Sequence, residues 1–276
     1  MKFVKMHGLG NDFILFEDHR ADADYSGTAI RLCHRQLGIG GDGLVAVLPS
    51  EKADVRMRII NCDGSEAEMC GNAIRCFAKY VYEKGMIRRD TFSVETLGGI
   101  VRPKLFIDRG IVMQVRVDMG EPRFDRSLIP MAGPGGMVVN EPLIVGGERW
   151  DITAMSLGVP HTVIFVDEVR EEVVKTVGPK IERHVKFPQK TNVNFVKVID
   201  DGTIQVRTWE RGAGPTLACG TGACASVVAA FLNGLAGRQV KARLLLGDLL
   251  IDYTEDGTVY MSGPAEKVFE GETDLA

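Results

Sequence analysis

Cys219-Gly220-Thr221-Gly222-Ala223-Cys224 lies inside a run, Gly212 to Gly237, that holds no charged residue, and Cys70-Gly71-Asn72-Ala73-Ile74-Arg75-Cys76 stands 149 residues before it with the same Cys-Gly start. Overlaying the chain on itself at that offset brings other features into register. Met57-Arg58-Ile59-Ile60-Asn61 falls on Val206-Arg207-Thr208-Trp209-Glu210, and Leu97-Gly98-Gly99 on Leu246-Gly247-Asp248. Leu9-Gly10-Asn11 meets Leu157-Gly158-Val159 at an offset of 148, and Met119-Gly120-Glu121-Pro122 resembles Met261-Ser262-Gly263-Pro264 at 142, through shorter connections. One Leu-Gly match is chance; a series at nearly constant offset implies a duplicated plan. The halves read as residues 1–120, with 263–276 returning to the first, and 121–262.

Between these anchors the sequence reads as short β-branched strands, such as Val112-Met113-Gln114-Val115-Arg116-Val117, broken by Gly, Pro and Asp turns. Few segments read as long helices. The two clearest start at the cysteines, Cys70 to about Tyr82 before Gly85 and Cys219 to about Leu235 before Gly237, and both are unusually apolar. A membrane span is the other reading of an uncharged run, but Gly212-Ala213-Gly214-Pro215 at its head, with Thr221, Ser226 and Asn233 inside it, suits a buried helix of Ala and Gly better. Strands on both sides of a helix buried all round predict an α+β fold. It has two pseudo-symmetric domains, each a curved β-sheet or barrel around a central helix, with the active site expected in the interdomain cleft.

A net charge of −4 with scattered Lys and Arg excludes nucleic acid as a partner. The charged, uncleavable start Met1-Lys2-Phe3-Val4-Lys5 argues against a secretory signal, so a cytoplasmic protein is expected. Its six cysteines should then be reduced. None forms a Cys-x-x-Cys pair, and the spacings within Cys70/Cys76 and Cys219/Cys224 point each pair to different helix faces, so no metal site is expected.

A helix start presents unpaired N–H groups and partial positive charge, which stabilise a thiolate and lower a cysteine pKa from about 8.5 into roughly the 3.5–7.5 range. The same groups hold a carboxylate, and Gly71-Asn72 and Gly220-Thr221 leave room for one. Two such starts sharing one carboxylate would set its α-carbon between two sulfurs. One thiolate would abstract the α-proton and one thiol would donate from the far face, which is what stereoinversion needs. Cys33, Cys62, Cys76 and Cys224 read instead as small hydrophobes.

On His7-Gly8-Leu9-Gly10-Asn11-Asp12-Phe13, Gly38-Ile39-Gly40-Gly41-Asp42-Gly43, Asn61-Cys62-Asp63-Gly64-Ser65 through Cys70-Gly71-Asn72 to Arg75-Cys76, and Glu210-Arg211-Gly212 through Cys219-Gly220-Thr221-Gly222-Ala223-Cys224, the chain resembles the diaminopimelate epimerases from end to end. The resemblance implies interconversion of LL- and meso-diaminopimelate without cofactor, for lysine and peptidoglycan synthesis. It implies Cys70 and Cys219 as acid and base, with Gly71, Asn72, Gly220 and Thr221 on the reacting carboxylate. Asn11, Asn61, Asn192, Glu210 and Arg211 become substrate contacts, the Arg211 guanidinium suiting the distal carboxylate. His161 and Glu210 become modulators of the cysteine pKa values. Phe269 stands where some members use a tyrosine in dimerisation, which implies a homodimer. Two positions depart from the family pattern: Val159 replaces a common substrate-contacting asparagine, and Gly43 replaces a glutamine. Proline or hydroxyproline racemases would share the two-thiol chemistry, but a substrate with one carboxylate has no use for Arg211. A thiol redox or metal-binding protein is the alternative from another class.

Overall fold

The computed structural model describes residues 1–20 and 22–275; Ala276, at the end of the expected C-terminal return, lies outside them. The chain divides into two compact units, Met1–Asp118 with Ser262–Ala276, and Met119–Met261.

In chain order the first unit holds β1 (Lys2–Gly8), β2 (Asn11–Glu17), α1 (Ser26–Cys33), β3 (Gly43–Leu48), β4 (Val55–Asn61), β5 (Glu66–Ala67), α2 (Gly71–Glu83), β6 (Val94–Thr96), β7 (Gly99–Val101), β8 (Lys104–Asp108) and β9 (Ile111–Asp118). The second holds β10 (Val138–Val145), β11 (Glu148–Leu157), β12 (Val159–Phe165), α3 (Glu171–Glu182), β13 (Asn192–Asp200), β14 (Thr203–Glu210), β15 (Gly214–Thr216), α4 (Gly220–Leu232), β16 (Gln239–Arg243), β17 (Asp248–Tyr253) and β18 (Val259–Gly263). The chain then returns to the first unit as β19 (Glu266–Glu272), the outer neighbour of β1.

Within each unit the same succession recurs. β1–β2 is antiparallel, β2–β3 parallel, β3–β4 antiparallel and β4–β6 parallel, with β5 antiparallel on β4 and β7 on β6. β11, β12, β13, β14, β15, β16 and β17 repeat those senses in that order. A parallel neighbour cannot be reached by a hairpin and needs a crossover. α1 and α2 supply the two crossovers of the first unit, α3 and α4 those of the second. The repeat seen in sequence is therefore a repeat of topology, and α2 and α4, each of 13 residues, begin at corresponding points.

α4 packs against β11, β12, β13, β14, β16 and β17, and α2 against β1, β2, β3, β4 and β9, so each helix is enclosed by strands. A helix so enclosed has no solvent face. Ten residues of α4, from Gly220 to Ala230, are buried, and small side chains let the strands approach. α2 departs from the apolar expectation: its buried face includes Arg75 and Lys79, which donate to the backbone carbonyls of Gly71, Pro264 and Val112. α4 ends at Leu232 rather than the expected Leu235, because Asn233 caps back onto the Ala229 carbonyl and Gly234 turns left-handed at φ 67°.

α1 and α3 were not expected. α1 spans eight residues and buries only Ala29, Leu32 and Cys33, too short a pattern to show periodicity. α3 contains Gly178-Pro179, a pair that by itself favours a turn. Gly178 is there for closeness, since a Cβ would lie 2.8 Å from the Trp209 side chain of β14. Among the described residues no helix is long and apolar enough to cross a membrane.

Candidate active site

In the first unit Cys70 is the N-cap of α2, half-buried and extended at φ −142°, ψ 121°, so it stands just ahead of the first helical residue. Gly71 and Asn72 form the first turn, whose N–H groups have no partner within the helix. The β1–β2 turn, with Leu9 at φ 55° and Gly10 at φ 90°, delivers Asn11 beside this start. Asn11 Oδ1 accepts from Asn72 Nδ2 at 3.0 Å and from the Cys70 thiol at 3.8 Å. Its Nδ2 donates to Asp42 Oδ2 at 2.7 Å, which fixes the orientation of the amide.

Asp42 is held in turn by Arg35 at 2.7 Å. Arg35 and Lys5 also grip Asp12; their pull outweighs burial and holds its carboxyl down at about 2. Asn61 ends β4 and closes a turn of its own, donating to Ser65 Oγ at 3.0 Å. Gly43 opens β3, where a Cβ would press to 3.1 Å from the Ile60 carbonyl.

In the second unit Cys219 is the N-cap of α4, at φ −120°, ψ 107°, and buried. Its sulfur lies 3.6 Å from Thr221 Oγ1. The expected fall in thiol pKa does not occur here. Burial, together with the Glu210 carboxylate beside it, raises the Cys219 thiol well above its usual value, against the Thr221 hydroxyl and the Gly222 N–H, which favour the thiolate. Glu210, at the end of β14, also accepts a hydrogen bond from Thr216 Oγ1.

Asn192 opens β13, and its Oδ1 accepts the Arg211 N–H at 2.7 Å, while the guanidinium donates to the Gln189 carbonyl. The Glu210–Gly212 bend rests on buried Glu182, which accepts from Trp209 Nε1 at 2.8 Å and the Gly212 N–H at 3.1 Å. His161 on β12 faces Asn192 across the parallel pairing and is fully buried. Burial, and then the Arg211 charge, push its pKa down to about 3, so the ring is neutral. Val159 opens β12. Phe269 is exposed on β19 and packs edge-on against Phe3 at 5.9 Å. Among the described residues no group of three or more His, Cys, Asp or Glu could hold a metal ion.

Sequence reasoning missed the Asp42–Arg35 brace on Asn11 and the buried pair Asn194 and Thr208 beneath the α4 start. Asn194 Oδ1 accepts from Thr208 Oγ1 at 2.9 Å, and both close on Gly222. The signal for Asn194 was present: Asn192 and Asn194 stand at i and i+2 among the apolar residues that open the strand, hence on one face. Gly222→Ala would ordinarily strengthen a helix by about 1 kcal/mol. Here the new Cβ would meet Asn194 Oδ1 at 2.4 Å and both Cys219 Sγ and Thr208 Oγ1 at 3.1 Å. The expected outcome is a loss of about 1–3 kcal/mol, read as a lower thermal midpoint; a higher midpoint would show that the cluster can yield.

The duplicated sheet-and-helix fold is shared with solved proteins of low sequence identity. A probable proline racemase from Agrobacterium radiobacter K84 superposes with a TM-score of 0.72 at 16% identity, over 100% of this chain and 93% of that one. A PhzF-family phenazine biosynthesis protein from Bacillus anthracis gives 0.69 at 15%, over 99% and 98%. At such identities the likeness is one of fold. The Diaminopimelate epimerase family matches residues 3–124 and 153–268. Curated relatives named diaminopimelate epimerase are 57% identical in Pelotomaculum thermopropionicum, over 99% of this chain and 98% of that one, and 48% in Methanococcus maripaludis, over the full length of both. The chain belongs to the diaminopimelate epimerase family, isomerases that act without pyridoxal phosphate.

Proposed function

We propose that the protein epimerises LL-diaminopimelate to the meso form, a step toward lysine and peptidoglycan precursors, with Cys70 and Cys219 as the two bases. The observation that carries this reading is the equivalence of the two thiols: each caps the central helix of one copy of a repeated fold, 149 residues apart. One sulfur as thiolate takes the α-proton, and the other as thiol returns a proton to the opposite face. Negative charge grows on the α-carboxylate, where Gly71, Asn72, Gly220 and Thr221 offer N–H groups at positive helix ends. The raised Cys219 pKa supports this thiol as proton donor in the resting protein.

Asn11, Asn61, Asn192, Glu210 and Arg211 hold the rest of the substrate, with Arg211 on the distal carboxylate, and His161 and Glu210 set the thiol pKa values. Val159 and Gly43 offer no polar side chain, so backbone groups and water take the contacts that an asparagine and a glutamine make elsewhere in the family. The protein works in the cytoplasm as two residue blocks, 1–120 with 263–276 and 121–262. It pairs as a homodimer through the face carrying Phe269; a single-chain mass in sedimentation would refute that pairing.

Purified protein should move solvent deuterium into the α-position of LL-diaminopimelate during turnover and leave proline untouched. Racemised proline with inert diaminopimelate would move the assignment to the proline racemases. Stoichiometric bound metal with neither substrate turned over would favour the metal-binding alternative.

A further inference from the structure

Beneath the α4 start lies a polar pair, Asn194 and Thr208, that the two-thiol scheme does not use. Asn194 on β13 is fully buried and touches three groups: Thr208 Oγ1 at 2.9 Å, the Thr162 carbonyl at 3.3 Å and His161 Nδ1 at 3.2 Å. A backbone carbonyl can only accept. The end of the Asn194 amide facing Thr162 is therefore the NH2 end, and Oδ1 is left to accept the Thr208 hydroxyl. The reversed amide would set two acceptors against each other at a fully buried position, a cost of about 1–3 kcal/mol. The same Nδ2 faces His161 Nδ1, so that ring nitrogen must accept and cannot carry a proton. The other ring nitrogen, Nε2, is buried and has no hydrogen-bond partner among the described residues.

We propose that Asn194 is a positioning residue that fixes His161 as the Nε2–H tautomer. The ring thus presents only a hydrogen-bond donor at Nε2 to any group that reaches it. The ring's single lone pair is committed to Asn194 and its other nitrogen bears hydrogen, so His161 has nowhere to receive a substrate proton. Proton abstraction is left to the thiols, and a histidine two residues from Val159 acts as a fixed dipole. The steric crowding at Gly222 belongs to the same device: a Cβ there would strike Asn194 Oδ1, the atom whose bond to Thr208 keeps the amide from turning.

The test is long-range proton–nitrogen NMR on protein labelled with 15N at its five histidines, the His161 signals being assigned by their absence in His161→Gln. In the wild type Nδ1 should resonate in the unprotonated range and Nε2 in the protonated range at neutral pH. In Asn194→Asp the carboxylate accepts where the amide donated, and the proton should move to Nδ1, shifting that signal into the protonated range. Asn194→Leu, uncharged and of similar size, should give a mixture of tautomers. A protonated Nδ1 in the wild type would overturn the proposal even if the variants do not fold. So would an unprotonated Nδ1 in folded Asn194→Asp. The measurement needs neither substrate nor turnover, so its failure and a failure of the two-thiol reading are separate results.

Discussion

Cys70→Ala and Cys219→Ala should each lower epimerisation of LL-diaminopimelate by a factor on the order of 10³ or more, at the upper end of what one positioned acid or base supplies. Neither sulfur can substitute for the other, because each serves one face of the α-carbon and inversion needs both. Cys62→Ala is the control: Cys62 is exposed and lies outside both helix starts, and this variant should keep its rate. Turnover followed by solvent deuterium at the α-carbon checks all three. A single variant that retains a tenth of the activity would refute the two-base scheme, since one thiol would then suffice.

Arg75→Ala should cost roughly 3–5 kcal/mol, a thermal midpoint lower by about 10 °C. The guanidinium is fully buried inside α2. It donates to the Gly71 carbonyl at 3.0 Å and to the Pro264 carbonyl at 3.1 Å. A Cβ on Gly8 would lie 2.8 Å from its Nη2, so the β1–β2 turn rests on it as well. Removing the side chain leaves two carbonyls without their donor and opens a void beneath the turn that delivers Asn11. Arg75→Lys, which reaches one carbonyl but not both, should fall between the two. An Arg75→Ala protein as stable as wild type would show that these bonds are replaced from elsewhere.

Much of the architecture could be read because duplication writes the same information twice. The offset between Cys70 and Cys219 located both central helices and the strands before them, and the observed pairing repeats along the same register. What stayed hidden was whatever depends on distant neighbours. α3 formed through Gly178-Pro179 because Trp209 packs against the glycine, a contact with no local mark. The thiol of Cys219 illustrates competition between effects. The helix start alone argues for a low pKa, but burial and the Glu210 carboxylate, nine residues earlier in the chain, decide the sign. Asp42 sat in a quoted motif without a role, because only the folded chain shows it orienting Asn11.

The return of β19 to the side of β1 bears on how the protein is made. β1 lies between β2 and β19, and the Met1 amine donates to the Thr273 carbonyl. During synthesis β1 must wait for residue 266 before it can acquire its outer neighbour, whereas every strand of the unit Met119–Met261 is available as soon as that stretch has emerged. The contact between first and last strands has nearly the greatest sequence separation the chain allows, the kind that closes slowly. The unit that carries Cys70 is thus the last that a ribosome can finish, and until then β1 exposes a free edge to whatever other nascent strands are nearby.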